Sequence, residues 1–227
     1  MLTTRRVAKL KEMLERFNQI RASQGLYPAT MNLVRSAKQF LFWRSDCILY
    51  ACSLKQPISS GKSTVDFTFV EMQISDLHLF ATMKKSSDMF WYKTLLKEGR
   101  VCILALKEHQ LAAYGWVSSK ADPVIERTYV PLAQDQVFIF DLFTKPAFRR
   151  QGIQSALLRH ILELSRQKGY KRALSLVRDD NVPSLNLHHK LNFQAVCHFT
   201  TIRIMGWVRY SFHPNPFGKA GSVTRWL

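Results

Sequence analysis

The chain has 227 residues, 47% of them hydrophobic, which is enough for one large domain with a sizeable core or one domain with an appendage. Its 33 Lys+Arg against 16 Asp+Glu leave a formal net charge of +17, which favours anionic partners and decides nothing about fold. No apolar run approaches the ~18 residues of a membrane span, and no apolar signal core stands near Met1, so the expectation is a cytoplasmic protein.

Residues 1–21 read as a helix with Val7, Leu10, Leu14, Phe17 and Ile20 on one stripe. Residues 1–64 hold 11 Lys+Arg against three acids, so this stretch is strongly basic. Such a helix can pack on its own domain, pair in a homodimer, or lie peripherally on a membrane surface. Gly25 and Pro28 interrupt it, a second helix is expected over 31–43, and Cys47–Cys52 reads as a short buried strand. The polar, turn-rich run Gln56–Ser63 is taken as a boundary, giving a basic helical extension at 1–63 and a main domain at 64–227. Gly61-Lys62-Ser63 ends like a phosphate-binding P-loop, but Gln56 stands where its first glycine belongs. Cys47, Cys52, Cys102 and Cys197 form no C-x-x-C pair and sit in apolar contexts, so they read as buried hydrophobes rather than metal ligands or disulfides.

The main domain opens with a strand at 65–70 and a helix near 77–85 capped by Ser75. A helix at 89–97 is closed by Gly99, and a tight turn at Lys107–Gln110 joins strands at 101–106 and 111–117. A loop covers 121–135. The apolar run Phe138–Phe143 reads as a buried strand, stopped by Pro146. After Arg149, Arg150 and Gly152 a helix is expected, with Ile153, Leu157, His160, Ile161 and Leu164 on its inner face and Gly169 beyond its end. Strand, basic loop and helix start together make an anion site. The first amides of a helix lack internal partners, glycine permits close approach, and arginines add charge-assisted contacts. A strand at 173–177 follows. Asn181 then caps a short helix to Lys190 that carries Pro183 in its first turn, Asn192 suits a left-handed turn, and two strands run from 193 to 210 around a turn at 205–206. The tail from Ser211 is expected on the surface.

This order of elements, from about 65 to 210, resembles the GNAT superfamily of acyl-CoA-dependent N-acetyltransferases. Arg149-Arg150-Gln151-Gly152-Ile153-Gln154 is similar to the family's R/Q-x-x-G-x-G/A loop. Asn181-x-x-Ser184-x-x-Leu187-His188-x-Lys190-Leu191-Asn192-Phe193 is similar to its N-x-x-A-x-x-L-Y-x-K-x-G-F segment. The resemblance implies an α/β (α+β) fold with a mixed, mostly antiparallel central sheet flanked by helices. It also implies acetyl-CoA or another acyl-CoA as co-substrate, with no metal, lying where two parallel strands part. The backbone of Leu142, Phe143 and Thr144 would meet the pantetheine arm and acyl carbonyl. Amides from Arg150 through Gln151, Gly152 and Ile153 to Gln154, with Arg149, would hold the diphosphate. Asn181 would orient the arm, with Ser184 nearby.

Three positions depart from the pattern. Gln154 replaces a small residue, Asn192 a glycine, and His188 stands where many members carry a tyrosine that protonates the leaving thiolate. A histidine can move that proton, or it can simply bond the backbone. Leu176 occupies the place of a glutamate base used by some members. Asp141 is the nearest strand carboxylate and serves either as a catalytic group or in an ion pair with an arginine. The expected activity is transfer of an acyl group to a small-molecule or protein amine acceptor, with an acidic acceptor suited to the basic surface. Alternatives are a long-chain acyltransferase drawing on acyl-CoA or acyl carrier protein, and a non-catalytic CoA-binding module. Nucleic-acid binding is disfavoured because the basic residues are not interleaved with aromatics.

Overall fold

The computed structural model describes residues 14–58, 67–81, 83–84, 86–120, 132–204, 207–214 and 221–226. The chain divides into two compact units: Ile48–Cys197, and Met1–Cys47 together with His198–Leu227.

The Ile48–Cys197 unit is built on a mixed sheet. Its strands are β1 (Phe42–Ser53), β2 (Thr68–Glu71), β3 (Val101–Lys107), β4 (Gln110–Ser118), β5 (Gln136–Thr144), β6 (Arg172–Arg178) and β7 (Gln194–Ile204), of which β1 and β7 extend into the other unit. The order is β2-β3-β4-β5-β6-β1-β7. The β2–β3, β3–β4 and β4–β5 pairs are antiparallel, and β5–β6 is parallel. The interior residues of β3, β4 and β6 are largely buried, as their unbroken apolar runs require of strands covered on both faces. The β3–β4 hairpin turns at Glu108 and His109, both at positive φ, which matches the right-handed strand twist.

The helices are α1 (Leu26–Leu41), α2 (Ser86–Lys97), α3 (Ile153–Gln167) and α4 (Val182–Lys190). Gly99 and Gly169 take positive φ just past α2 and α3, as expected of closing glycines. Buried Ile153, Leu157, Leu158, Ile161, Leu162 and Ser165 form the inner face of α3. That face is rotated from the expected stripe, leaving His160 and Leu164 half-buried at its rim. Before α2 the chain forms a 3-10 helix, Ile74–Phe80, rather than the α-helix expected from a Ser75 cap. Gln73 starts it, and the Gln73 amide donates to Asp76 Oδ2 at 2.8 Å, so the carboxylate three residues on fixes the entry.

The expected 63/64 boundary falls within 59–66, outside the described residues. Ile48–Ser53 of β1 lies between β6 and β7 in the sheet order, with Tyr50, Cys52 and Leu54 in its core. All four cysteines are free and buried.

In the other unit, residues 14–24 are helical and Gly25 ends them at φ 93° before α1. Residues 1–13, more than half of the helix expected over 1–21, lie outside the described residues, as does 121–131 of the expected loop. Asp46 accepts from Arg44 Nε at 2.8 Å and Thr200 Oγ1 at 2.6 Å; the arginine bond, above all, holds its carboxyl below the usual range. The second of the two strands expected over 193–210 is β8 (Trp207–Pro214), which runs on into the tail, and the tail adds β9 (Gly221–Trp226), antiparallel to it from Trp207↔Trp226 to Phe212↔Gly221. Among the described residues no helix is long and apolar enough to cross a membrane.

Candidate functional site

The parallel register of β5 and β6 ends at Ile139↔Ser175, although β5 continues to Thr144 and β6 to Arg178. The two strands therefore part along their C-terminal halves. The cause is local to β5. Its pairing with β4 skips from Trp116↔Phe140 to Tyr114↔Phe143, so Asp141 and Leu142 together face Gly115. This is a β-bulge, with Asp141 in the left-handed region at φ 46°, and it bends the strand. Gly115 leaves room there: a Cβ would stand 2.5 Å from Leu142 Cδ2 and 2.9 Å from Ile161 Cδ1, so both side chains would have to shift. Past the bulge, Phe143 and Thr144 pair with Tyr114 and Ala113 on one edge, and the edge towards β6 has no strand partner.

The chain then passes through a 3-10 turn, Pro146–Phe148, into the start of α3. Arg150 (φ 64°) and Gly152 (φ 75°) both take left-handed conformations. Gly152 is the N-cap, no side chain caps the helix, and the first bond is Ala156 N–H to the Gly152 carbonyl at 3.0 Å. The amides from Arg150 to Ser155 are thus left without backbone partners, at the positive end of a 15-residue helix. A Cβ on Gly152 would meet nothing within 4 Å, so the approach is open. Arg149 and Arg150 are exposed beside it, and Arg149 Nε donates to the Thr144 carbonyl at 3.3 Å. Gln151 Nε2 reaches Ala147 O at 3.2 Å, and Ile153 is buried in the core. Thr144 Oγ1 donates to Gln154 Oε1, while Gln154 Nε2 is buried without a partner. The glutamine that replaces a small residue thus spans from the helix start to the end of β5.

After β6, Asn181 accepts the Ser184 amide at 3.3 Å and caps α4 while remaining exposed. His188 is fully buried, between Phe193 (4.7 Å between ring centroids) and Tyr50 (5.5 Å). Its Nδ1 lies 2.7 Å from the Ser184 carbonyl, so Nδ1 carries the proton and Nε2 is a bare, unpartnered acceptor. Burial, aided by neighbouring His189, lowers its pKa against the opposing pull of the Ser184 bond. The structure therefore places His188 inside the core, not on an open wall. Leu176 is also buried.

Asp141 does not meet an arginine. Tyr92 Oη donates to Oδ2 at 2.5 Å and Tyr114 Oη to Oδ1 at 3.3 Å, with the two hydroxyls 3.2 Å apart. Burial, and after it the Asp141 charge, push both phenols far above their ordinary value, so they remain donors. Neither Tyr92 nor Tyr114 stands among the site residues expected from the sequence. They come from α2 and β4, and nothing local ties either to Asp141. A separate cavity of about 180 Å³ beneath the last turns of α3, lined by Ser165, Lys168 and Tyr170 among others, lies at the far end of that helix from Gly152.

With this geometry in hand, the comparisons decide the family. The model of the GNAT acetyltransferase family matches residues 69–193, more than half the chain. The chain belongs to that family. No curated protein matches it. A GCN5-related N-acetyltransferase from Sphaerobacter thermophilus superposes with a TM-score of 0.55 at 11% identity, over 77% of this chain and 56% of that one. A GNAT-family protein from Novosphingobium aromaticivorans gives 0.51 at 14% identity, over 70% and 63%. A Drosophila protein gives 0.53 at 11% identity, over 80% and 58%. These likenesses show the shared fold, and the chain spans about three fifths of the length of these three structures.

Proposed function

We propose that this GNAT protein transfers an acyl group, acetyl in the first instance, from acyl-CoA to an amine held in the same complex. The observation that carries the proposal is the run of unpaired amides from Arg150 to Ser155 where β5 and β6 part. Bound there, acyl-CoA supplies a thioester carbonyl open to attack. The amides around Gly152 hold the diphosphate, and Arg149 and Arg150 add charge-assisted contacts. The free edge of Leu142, Phe143 and Thr144 takes the amide-rich pantetheine arm as an added strand would be taken. Asn181 orients that arm while capping α4, and Ser184 stays structural through its carbonyl bond to His188.

Asp141 accepts two hydroxyl bonds that fix its side chain at the bulge, where it attracts and orients a cationic amine. His188 has no proton on Nε2, and burial opposes charging it, so it is poorly set to donate to a thiolate. Proximity and water then carry the proton traffic. The burial of His188 and the absence of a carboxylate at Leu176 favour a second reading, a module that binds CoA without turnover.

Titrating the protein with acetyl-CoA by calorimetry and thermal shift tests the first claim, since a ligand of the native state alone raises Tm. No binding at millimolar acetyl-CoA sinks it. Thiol release over an amine panel separates the two readings: binding with no release from any amine supports the module.

A further inference from the structure

On the sheet face carrying Tyr114 and Trp116, three aromatic rings gather around one ammonium. Lys84, between the 3-10 helix and α2, places Nζ 5.5 Å from the ring centroids of Tyr92 and Tyr114 and 5.7 Å from that of Phe143. Tyr114 and Phe143 are cross-strand partners whose rings stack at 5.6 Å and 28°. Tyr92 meets Tyr114 edge-on at 6.2 Å. Both tyrosines are buried, and Lys84 and Phe143 are half-buried. Among the described residues Lys84 Nζ has no carboxylate within salt-bridge distance, so the ring faces hold it. The same two tyrosine hydroxyls converge on Asp141, which sets a negative charge behind the rings. One member of the cage joins it to the donor groove: Phe143 offers its ring to Lys84, and its backbone lies on the β5 edge that faces the parted strands.

We infer that this cage is the subsite for the acceptor's ammonium group, and that Lys84 is its internal occupant. The inference rests on the proposed acyl transfer to an amine and narrows the acceptor to a primary aliphatic amine that enters as a cation. Ring faces with a carboxylate behind them select positive charge over a neutral alcohol of the same shape. The tethered Lys84, half-buried on a long flexible stem, competes for the site. An incoming amine therefore binds the wild type more weakly by the fraction of molecules whose cage is free.

Calorimetric titration with n-butylammonium chloride, at fixed ionic strength and without CoA, tests this in the wild type, in Lys84→Ala and in Lys84→Ala/Phe143→Leu. The expected result is binding to Lys84→Ala at least about tenfold tighter than to wild type, with the gain lost in the double variant and n-butanol failing to bind. Equal affinity in wild type and Lys84→Ala, binding in neither, or binding of n-butanol as tightly as the amine would overturn the inference. Lys84→Met, which keeps the stem and removes the charge, serves if the alanine variant folds poorly. The measurement involves no donor, so a failure of acetyl-CoA to bind defeats the transferase proposal separately from this result.

Discussion

The helices α3 and α4 follow consecutive strands, β5 and β6, and begin in opposite ways. At α4 the Asn181 side chain takes the Ser184 amide and Pro183 removes another donor, so the helix closes its own end. At α3 the cap is Gly152, with no side chain, and the amides behind it stay bare. A side-chain cap is more stable than a glycine start, by roughly a few tenths of a kcal/mol. Leaving α3 open forgoes that stabilisation and leaves donors that an anion can satisfy. The left-handed turns at Arg150 and Gly152 point the same way, since they curl the loop around the open end rather than across it.

Filling the open end should produce the largest effect. Gly152→Asp puts a carboxylate at the site proposed for the diphosphate, and acetyl-CoA affinity is expected to fall at least about 100-fold, or about 2.7 kcal/mol, by calorimetry. Aspartate tolerates the left-handed region better than most residues, and a Cβ there meets nothing within 4 Å, so near-ultraviolet circular dichroism should stay native. Gly152→Asn makes the same backbone demand without the charge and should lose markedly less. Equal losses in the two variants would mean that bulk, not anion recognition, governs the loop.

Removing the flanking charge comes next. Arg149→Ala/Arg150→Ala should weaken acetyl-CoA about tenfold and flatten the salt dependence of binding, because exposed arginines act through a screened field while the amides keep most of the site. An unchanged salt slope would leave the recognition to the backbone alone.

The open end of α3 was legible in the sequence and much of the surrounding site was not, for physical reasons. A glycine between a basic loop and an amphipathic stripe is a local signal, and Gly152 needs only its own φ to act. The alternation of buried runs likewise placed β3 to β6. The position of β1 between β6 and β7 was hidden, because it pairs Ile48–Ser53 with strands more than 100 residues away and nothing local encodes the partner. The tail strand β9 shows itself only through its pairing with β8. The cluster around Asp141 draws Lys84, Tyr92 and Tyr114 from three separate segments, so the expected arginine partner was a guess about chemistry that the fold answered with hydroxyls. His188 was placed in the right helix, but motif spacing carries no information on burial, and burial decides what that imidazole can do.

Opening the closed end should cost less than filling the open one. Asn181→Ala removes the α4 cap and should cost about 1 kcal/mol, a Tm decrease of about 2–4 °C for a domain of this size. On the proposed function, acetyl-CoA affinity should drop several-fold alongside it, because the exposed side chain would also orient the pantetheine arm. A Tm decrease with unchanged affinity would reduce Asn181 to a cap.

The smallest effect lies inside α4 and is read through pH. His188 is buried neutral, and its pKa lies below the ordinary 6.5 because burial disfavours the charged ring. The native state therefore binds fewer protons than the unfolded state once pH falls below about 6.5, so stability falls as pH falls through that window. His160, half-buried against Phe69 at 4.6 Å, is shifted the same way by burial and adds to the slope. The carboxylates act lower: Glu163, held to about 2 by Arg166, and Asp46, held down by Arg44, lose their contribution only below the ordinary carboxylate range. Denaturant midpoints of wild type and His188→Phe between pH 7.5 and 5 isolate the term, since His160 and the carboxylates are common to both. Phenylalanine keeps a ring against Phe193 and Tyr50 and cannot take a proton, so the variant should show the shallower decline. Parallel curves would mean that the imidazole meets water or a counter-charge in solution. Its Nε2 could then carry a proton, and the general-acid role for His188 would be restored.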